Sequence, residues 1–351
     1  MEFVFRKDDG GRFEGAWSSF IQKDNFSGFY SLKFIDTMRL CSKSLKEDLS
    51  FAAMEGGSCV AIAPLFLEEA DGRRQFTYGG SWLRSPICSS QDAEKKVFER
   101  IDKLAQESGV GKAMMMVEPS WWLQAEDKYN RLQKHGFLDA SISTNVIDLA
   151  PPEDALLRRM RHGHESVIKS RMKDFLLTVV DHKNPDFNLH EQYRQTHHKD
   201  AGRVTRPMES FSLQFDTVKA DEAALFCLDH KGKKAAFAYF YHGKTSAYYG
   251  SAAMDPDFTE SNGAYHWLMW EAIRYYKKRG LKHLETGWQQ FGPQIFDQPS
   301  EKDISISLFK RGFGGANIPL MRGVKYYDKA LLEKEVAEAA SRLSGQERKK
   351  A

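Results

Sequence analysis

The sequence predicts an α/β protein, in the α+β sense, built as two tandem domains, each a mixed and largely antiparallel sheet flanked by helices. Three observations lead there. The 351 residues suffice for about two domains, each able to bury its own core. Tyr78, Gly80, Ser81 and Pro86 recur as Tyr248, Gly250, Ser251 and Pro256 at one constant offset of 170 residues, as an internal duplication would leave them. The order of strand-like and helix-like runs around the two clusters agrees as well.

Composition narrows the class. Lys and Arg number 51 against 48 Asp and Glu, a net charge of +3. That balance argues against a protein that works by coating phosphate backbones, and DNA is not an expected partner. With 28% charged residues and 11 prolines, little of the chain is expected to be disordered. No run of about 18 apolar residues occurs, and MEFVFRKDD at the start lacks a signal-peptide core, so the expectation is a cytoplasmic protein without a transmembrane segment. Cys41, Cys59, Cys88 and Cys227 are scattered without CxxC or CxH spacing, so neither a metal site nor a disulfide framework is expected.

In the first half, residues 1–150, the runs Phe51 to Ala53, Cys59 to Leu67 and Gln75 to Tyr78 predict a three-strand meander. Ala93 to Glu107 predicts a helix with Val97, Ile101 and Leu104 on one stripe, Ala113 to Val117 a strand, and Ser143 to Leu149 the strand that closes the half ahead of Pro151 and Pro152. The second half, residues 151–325, opens with a basic helix, Leu156 to Lys173, carrying Arg158, Arg159, Arg161, Lys169, Arg171 and Lys173 against Glu165; it is either a solvated face or a phosphate-facing patch. Next come a strand (Phe175 to Val180), two helices (Leu189 to Asp200, Met208 to Val218) and a meander (Ala223 to Leu228, Ala235 to Tyr241, Thr245 to Tyr249) with tight turns at Asp229 to Gly232 and His242 to Lys244. A long helix, Ala264 to Lys278, is stopped at Gly280. Leu281 to Glu285 reads as a strand and Ile304 to Phe309 opens a helix or turn. Residues 326–351 predict a helical tail with Leu332, Val336, Ala339 and Leu343 on one stripe.

Several residues carry chemistry. In FKRGFGG, Phe309 to Gly315, three glycines in four positions allow either a tight turn or close approach of the backbone to a ligand, with Lys310 and Arg311 as cationic donors. Arg206, in GRVTRP, suits bidentate capture of phosphate or carboxylate, or pairs with Asp200 or Glu209. Glu285, His266 and Asp200 are candidate bases, each with a structural alternative: pairing with Lys282 for Glu285, a satisfied half-buried ring for His266. His197 and His198 project about 100° apart on a helix and do not form a ligand pair. Trp121-Trp122 and Tyr326-Tyr327 read as cleft wall or core.

Taken with RRMRHGHESVIKSRMK (158–173), HHKDAGRVTRP (197–207), AYYGSA (247–252) and NGAYHWLMWEAI (262–273), the FKRGFGG string makes the sequence resemble the Fem-type (FemAB-like) branch of the GNAT acyltransferase superfamily. The second half carries the motifs; the first matches in layout. The resemblance implies two tandem GNAT-like domains and an N-acyltransferase of cell-envelope or secondary metabolism. Such an enzyme moves an activated acyl or aminoacyl group from an acyl thioester such as acyl-CoA to an amino group of an anionic small-molecule, glycan-precursor or peptide acceptor. Aminoacyl-tRNA as the donor is one alternative, with tRNA then a partner. A non-catalytic tandem module that binds a glycan or nucleic acid is another. No permanently bound cofactor is expected.

The resemblance further implies that Arg206 and Lys310 lie in the acceptor channel between the domains, with Tyr248 or Tyr249 lining the same cleft. The candidate catalytic residues are therefore Lys310, Tyr249 and Glu285. Candidate substrate contacts are Arg206, Tyr248, His266, Arg311, Phe313 and Gly314, and candidate donor contacts are Arg158, Arg159, Arg161 and Asn262. The stretch MDPDFTESNG before the long helix departs from the glycine-rich pyrophosphate cradle of acyl-CoA GNAT enzymes. Gly79 stands where the repeat has Tyr249, so the first half reads as a non-catalytic copy that shapes the acceptor channel.

Overall fold

The computed structural model describes residues 1–23, 28–119, 129–171, 175–258 and 263–345. Pro64 organises the first half. The run from Cys59 to Leu67, expected as one strand, is cut there because proline has no N–H to extend a ladder. Ser58–Ala63 pairs with Phe51–Glu55 in a four-stranded sheet that also holds Glu2–Phe5 and Ile87–Cys88. Phe66–Ala70 turns instead into a second sheet, between Leu45–Asp48 and Arg73–Phe76. The expected meander is thus corrected to two hairpins in two sheets.

In the second half the meander stands as Ala223–His230, Lys233–His242 and Ser246–Met254, inside a seven-stranded sheet with Leu176–Val180 at one edge. Alternation sorts its faces. Phe226, Ala236, Ala238 and Phe240 pack under the long helix Ala264–Lys278. Leu225, Cys227, Phe237, Tyr239 and Tyr241 turn the other way, into a core shared with the helices Phe187–Asp200 and Met208–Lys219 and with the first half. The helix Leu32–Cys41 of the first half packs on Met208–Lys219 across that seam.

The halves exchange strands. Ile142–Asp148, expected to close the first half, lies in the second half's sheet between His283–Gln289 and Ala316–Leu320. Arg322–Tyr326, which includes the end of the expected second domain, pairs in the first half with Val110–Met116 and Leu138–Asp139. The chain has therefore already crossed before it reaches Pro151 and Pro152. Two further readings are corrected. The basic segment is two helices, Glu153–Arg158 and His162–Arg171, parted at Arg159 to Arg161. The tail helix Lys329–Leu343 buries Leu331 and Ala339 and leaves Val336 and Leu343 exposed, so its packed stripe is one residue out of step with the expected one at its start.

The duplication is visible in the pairing itself. Phe76 pairs with Ala113 and Ser246 with His283, in parallel in both cases, and each residue of the second pair lies 170 positions beyond its counterpart. Beyond these pairs the two halves differ. In the second half the ladder ends at Tyr248 and Glu285, and the strands diverge into a wedge. In the first half the chain turns at Gly79 and Gly80, both at positive φ, and Leu83–Arg84 rejoins the same neighbour at Met115 and Met116, which closes the wedge. Buried Glu68 holds that turn, accepting from the N–H groups of Gly79 and Gly80 and the hydroxyls of Ser42 and Thr77. Burial alone would raise its pKa, but these bonds outweigh burial and keep the carboxyl below its ordinary value.

Candidate active site

Past Tyr248 and Glu285, each splayed strand keeps only its outer partner. The open wedge leads into a cavity of about 380 Å³ lined by Tyr249 to Ala252, by Tyr265 from the long helix and by Ser305, Ile306, Phe309 and Lys310 from the helix Glu301–Arg311. That size and the mostly apolar lining suit a small-molecule ligand.

Glu285 occupies the tip of the wedge. Its residue is 8% exposed, and Thr144, on the exchanged strand, donates a 2.6 Å hydrogen bond to Oε1. Burial, reinforced by the field of Glu118, pushes its pKa up to about 7; Thr144, Arg84 and Lys310 offset only part of this. Lys310 reaches the same point. Its ammonium lies 5.6 Å from the centre of the Tyr249 ring, and burial holds its pKa below the ordinary value, with Glu285 opposing. Gly287 explains how the groups fit together. A Cβ there would stand 3.1 Å from Lys310 Nζ and 3.4 Å from the Tyr248 hydroxyl, on a backbone at φ +98°. A glycine therefore keeps open the space into which lysine and phenol converge.

Alternation resolves the two tyrosines, and both have a place. Tyr249 faces the long-helix side and lines the cavity. Tyr248 faces the first half, meeting Phe29 edge-on at 4.8 Å. Arg84 stacks on Phe29 at 4.0 Å and pairs with Glu118 at 3.1 Å.

The remaining expected residues lie elsewhere. Arg206 sits at the seam, stacked on Phe211 at 4.2 Å and bonded to Gln214 at 3.2 Å. It connects to the cavity through Tyr193, whose hydroxyl bonds Ser251. His266 packs against His164, Phe309 and Phe313, and burial pushes its pKa down to about 4. This is its structural alternative, a half-buried ring outside the cavity lining. Phe313 is 1% exposed in the core. Gly314 lies against the Arg159 backbone, as Gly312 does against the His164 ring and Gly315 against Val146. These glycines serve close chain approach, and the turn reading of FKRGFGG is the one observed. Arg311 stacks on Phe291 at 4.8 Å. Arg158 is exposed and paired with Asp154; Arg159 and Arg161 are exposed, Arg161 reaching His164. Asn262, Trp121 and Trp122 lie outside the described residues.

Sequence reasoning missed Arg84, Glu118, Thr144, Phe29 and Gly287. None belongs to a motif; Arg84, Glu118, Thr144 and Phe29 acquire their places through strand exchange or packing across the seam, and Gly287 through the close approach of Lys310 and Tyr248. Among the described residues no helix is long and apolar enough to cross a membrane.

Residues 156–293, which include Arg206, Tyr248, Tyr249 and Glu285, match the family described as acetyltransferase (GNAT) domain. Among solved structures, the chain is similar to FemX, with a TM-score of 0.65 and 12% identity over 95% of this chain and 99% of that one. It is also similar to the C-terminal domain of a protein assigned as a lysylphosphatidylglycerol synthetase from Agrobacterium fabrum, with a TM-score of 0.60 and 13% identity over 95% and 97%. A third is a tandem GNAT protein from the clavulanic acid biosynthesis pathway, at 0.51 and 11% over 93% and 98%. The sequence matches no curated protein. The chain has the Fem-like tandem GNAT fold, with the GNAT domain in its second half. The family match marks the second half as an acyltransferase domain of the GNAT type.

Proposed function

We propose that the protein is an N-acyltransferase that takes an acyl group from an acyl thioester in the Tyr249–Lys310 cavity and passes it to an amine entering from the seam between the halves. The observation that carries this reading is Glu285, a buried carboxyl with a pKa near neutrality at the wedge tip, beside Lys310. A general base works best when its pKa lies near the working pH. The amine nitrogen attacks the thioester carbonyl carbon, its proton passes to Glu285, the C–S bond breaks, and the thiolate leaves and is protonated. Lys310 and the unpaired N–H groups of the splayed strand supply positive charge for the oxyanion. Arg206 suits an anionic group on the acceptor, with Tyr193 linking it to the cavity wall.

Aminoacyl-tRNA as the donor is the second reading, favoured by the exposed arginines at 158, 159 and 161 near the FKRGFGG turn. The thioester is preferred because Tyr265, Ile306, Phe309 and Ala252 wall the cavity. An uncharged acyl chain fits such walls, whereas the ammonium of an aminoacyl group would lose its hydration there. The test is transfer from a panel of acyl-CoAs and from charged tRNAs to amine acceptors, with Glu285→Gln as the control. Transfer from acyl-CoA that Glu285→Gln abolishes is expected. Transfer from charged tRNA alone would replace the donor assignment, and turnover untouched by Glu285→Gln would remove the base.

A further inference from the structure

Acyl transfer through Glu285 and Lys310 gives no use to a buried ion pair beside the site. Arg84 and Glu118 have side chains only 11% and 4% exposed, and a buried ion pair seldom stabilises a fold more than apolar packing would. Both come from the region where the first half closes its own wedge: Arg84 is the register partner of Met116, and Glu118 lies two residues beyond. Closing that wedge removes a cleft from the first half and aims the pair at the second. The guanidinium lies on Phe29, Phe29 on Tyr248, and Tyr248 pairs in register with Glu285. Among the described residues, the charged groups acting most strongly on Glu285 are Glu118, Arg84 and Lys310, with Tyr248 the adjacent phenol.

We propose that Arg84 and Glu118 are positioning residues for transfer, a contribution of the non-catalytic half whose opposed charges set how readily Glu285 accepts and releases the amine proton. The inference rests on Glu285 as the proton acceptor. Glu118 favours the protonated carboxyl and Arg84 the ionised one. The two fields oppose each other at Glu285, with that of Glu118 the larger, so removal of either charge leaves the other unopposed.

The test is the pH dependence of kcat/KM in the full chain, with acyl-CoA and an amine. Glu118→Gln should move the acidic limb to lower pH and Arg84→Met to higher pH, each by about one pH unit. The double variant should return it close to the starting position. Arg84→Lys keeps the charge and loses the stack on Phe29, so it should leave the limb in place and separate field from packing. A variant too slow to assay is read by NMR titration of the Glu285 carboxyl in glutamate-labelled protein, assigned by its loss in Glu285→Gln. Shifts of one sign in both single variants, or no shift in either readout, would overturn the proposal. Unchanged turnover in Glu285→Gln would fail the base assignment instead, and the NMR shifts would still decide whether the pair tunes this carboxyl.

Discussion

Glu285 is held where the role proposed for it and the stability of the fold conflict. The folded state binds its proton more tightly than the unfolded chain does, raising the pKa from 4.5 to about 7. Ionisation therefore costs the fold about 3 kcal/mol above pH 7, and the cost fades as pH falls from 7 towards 4.5. Glu285→Gln should lower kcat by about 10²- to 10⁴-fold and also raise unfolding stability at pH 8, with the gain vanishing near pH 4.5. Denaturant melts at the two pH values check this, and equal stability of both proteins at pH 8 would contradict it. His190 acts in the opposite sense. It is 2% exposed, and burial, with Arg206 adding, pushes its pKa from 6.5 to about 4. The unfolded chain binds its proton first, so stability is lost as pH falls from 6.5 towards 4. His190→Phe should recover about 2 kcal/mol of that loss at pH 4.5, read as a smaller difference in denaturant midpoint between pH 7 and pH 4.5.

At the scale of elements, the open wedge distinguishes the two copies. In the second half its walls are the strand Ser246–Met254 and the helix Glu301–Arg311, and Ala252 is a small residue on the cavity wall. Ala252→Trp should raise KM for the thioester more than 10-fold while the thermal midpoint stays within a few degrees; an unchanged KM would exclude the cavity as the donor site. The meander, the long helix and the wedge strand were legible in sequence because periodicity and tight turns mark them locally. FKRGFGG was legible as a special backbone but not in its use, since its glycines answer to the His164 ring, the Arg159 backbone and Val146, all distant in sequence. Gly315 is the sharpest case: a Cβ would stand 2.5 Å from the Val146 carbonyl oxygen at φ +86°. Gly315→Ala should cost roughly 2–4 kcal/mol in a denaturant melt.

Across the whole molecule, strand exchange makes each half incomplete without the other. The sequence readily yields a boundary, because Pro151 and Pro152 break a ladder and a charged helix comes after them, but local pattern carries no information on which sheet a strand joins. Ile142–Asp148 lies inside the seven-stranded sheet, bonded on both sides, and supplies Thr144 to Glu285. Arg322–Tyr326 is likewise bonded on both sides in the first half. Its Arg322, 0% exposed, lies 4.1 Å from the ring of Trp82 in the first half and 5.4 Å from that of Trp288 in the second. Residues 1–150 alone would lose a ladder strand and carry an unpartnered one; residues 151–351 would lose the strand that bonds His283–Gln289. Each exposes paired backbone and the shared aromatic core, costs that a domain of this size cannot absorb. Expressed separately, the two fragments should lack cooperative unfolding transitions. Mixed during refolding, they should recover one transition and the transfer activity. The check is thermal unfolding with hydrogen exchange on each fragment and on the pair. Native-like protection of Val110–Met116 in the isolated first fragment would mean that the halves fold independently and that exchange is a late docking event.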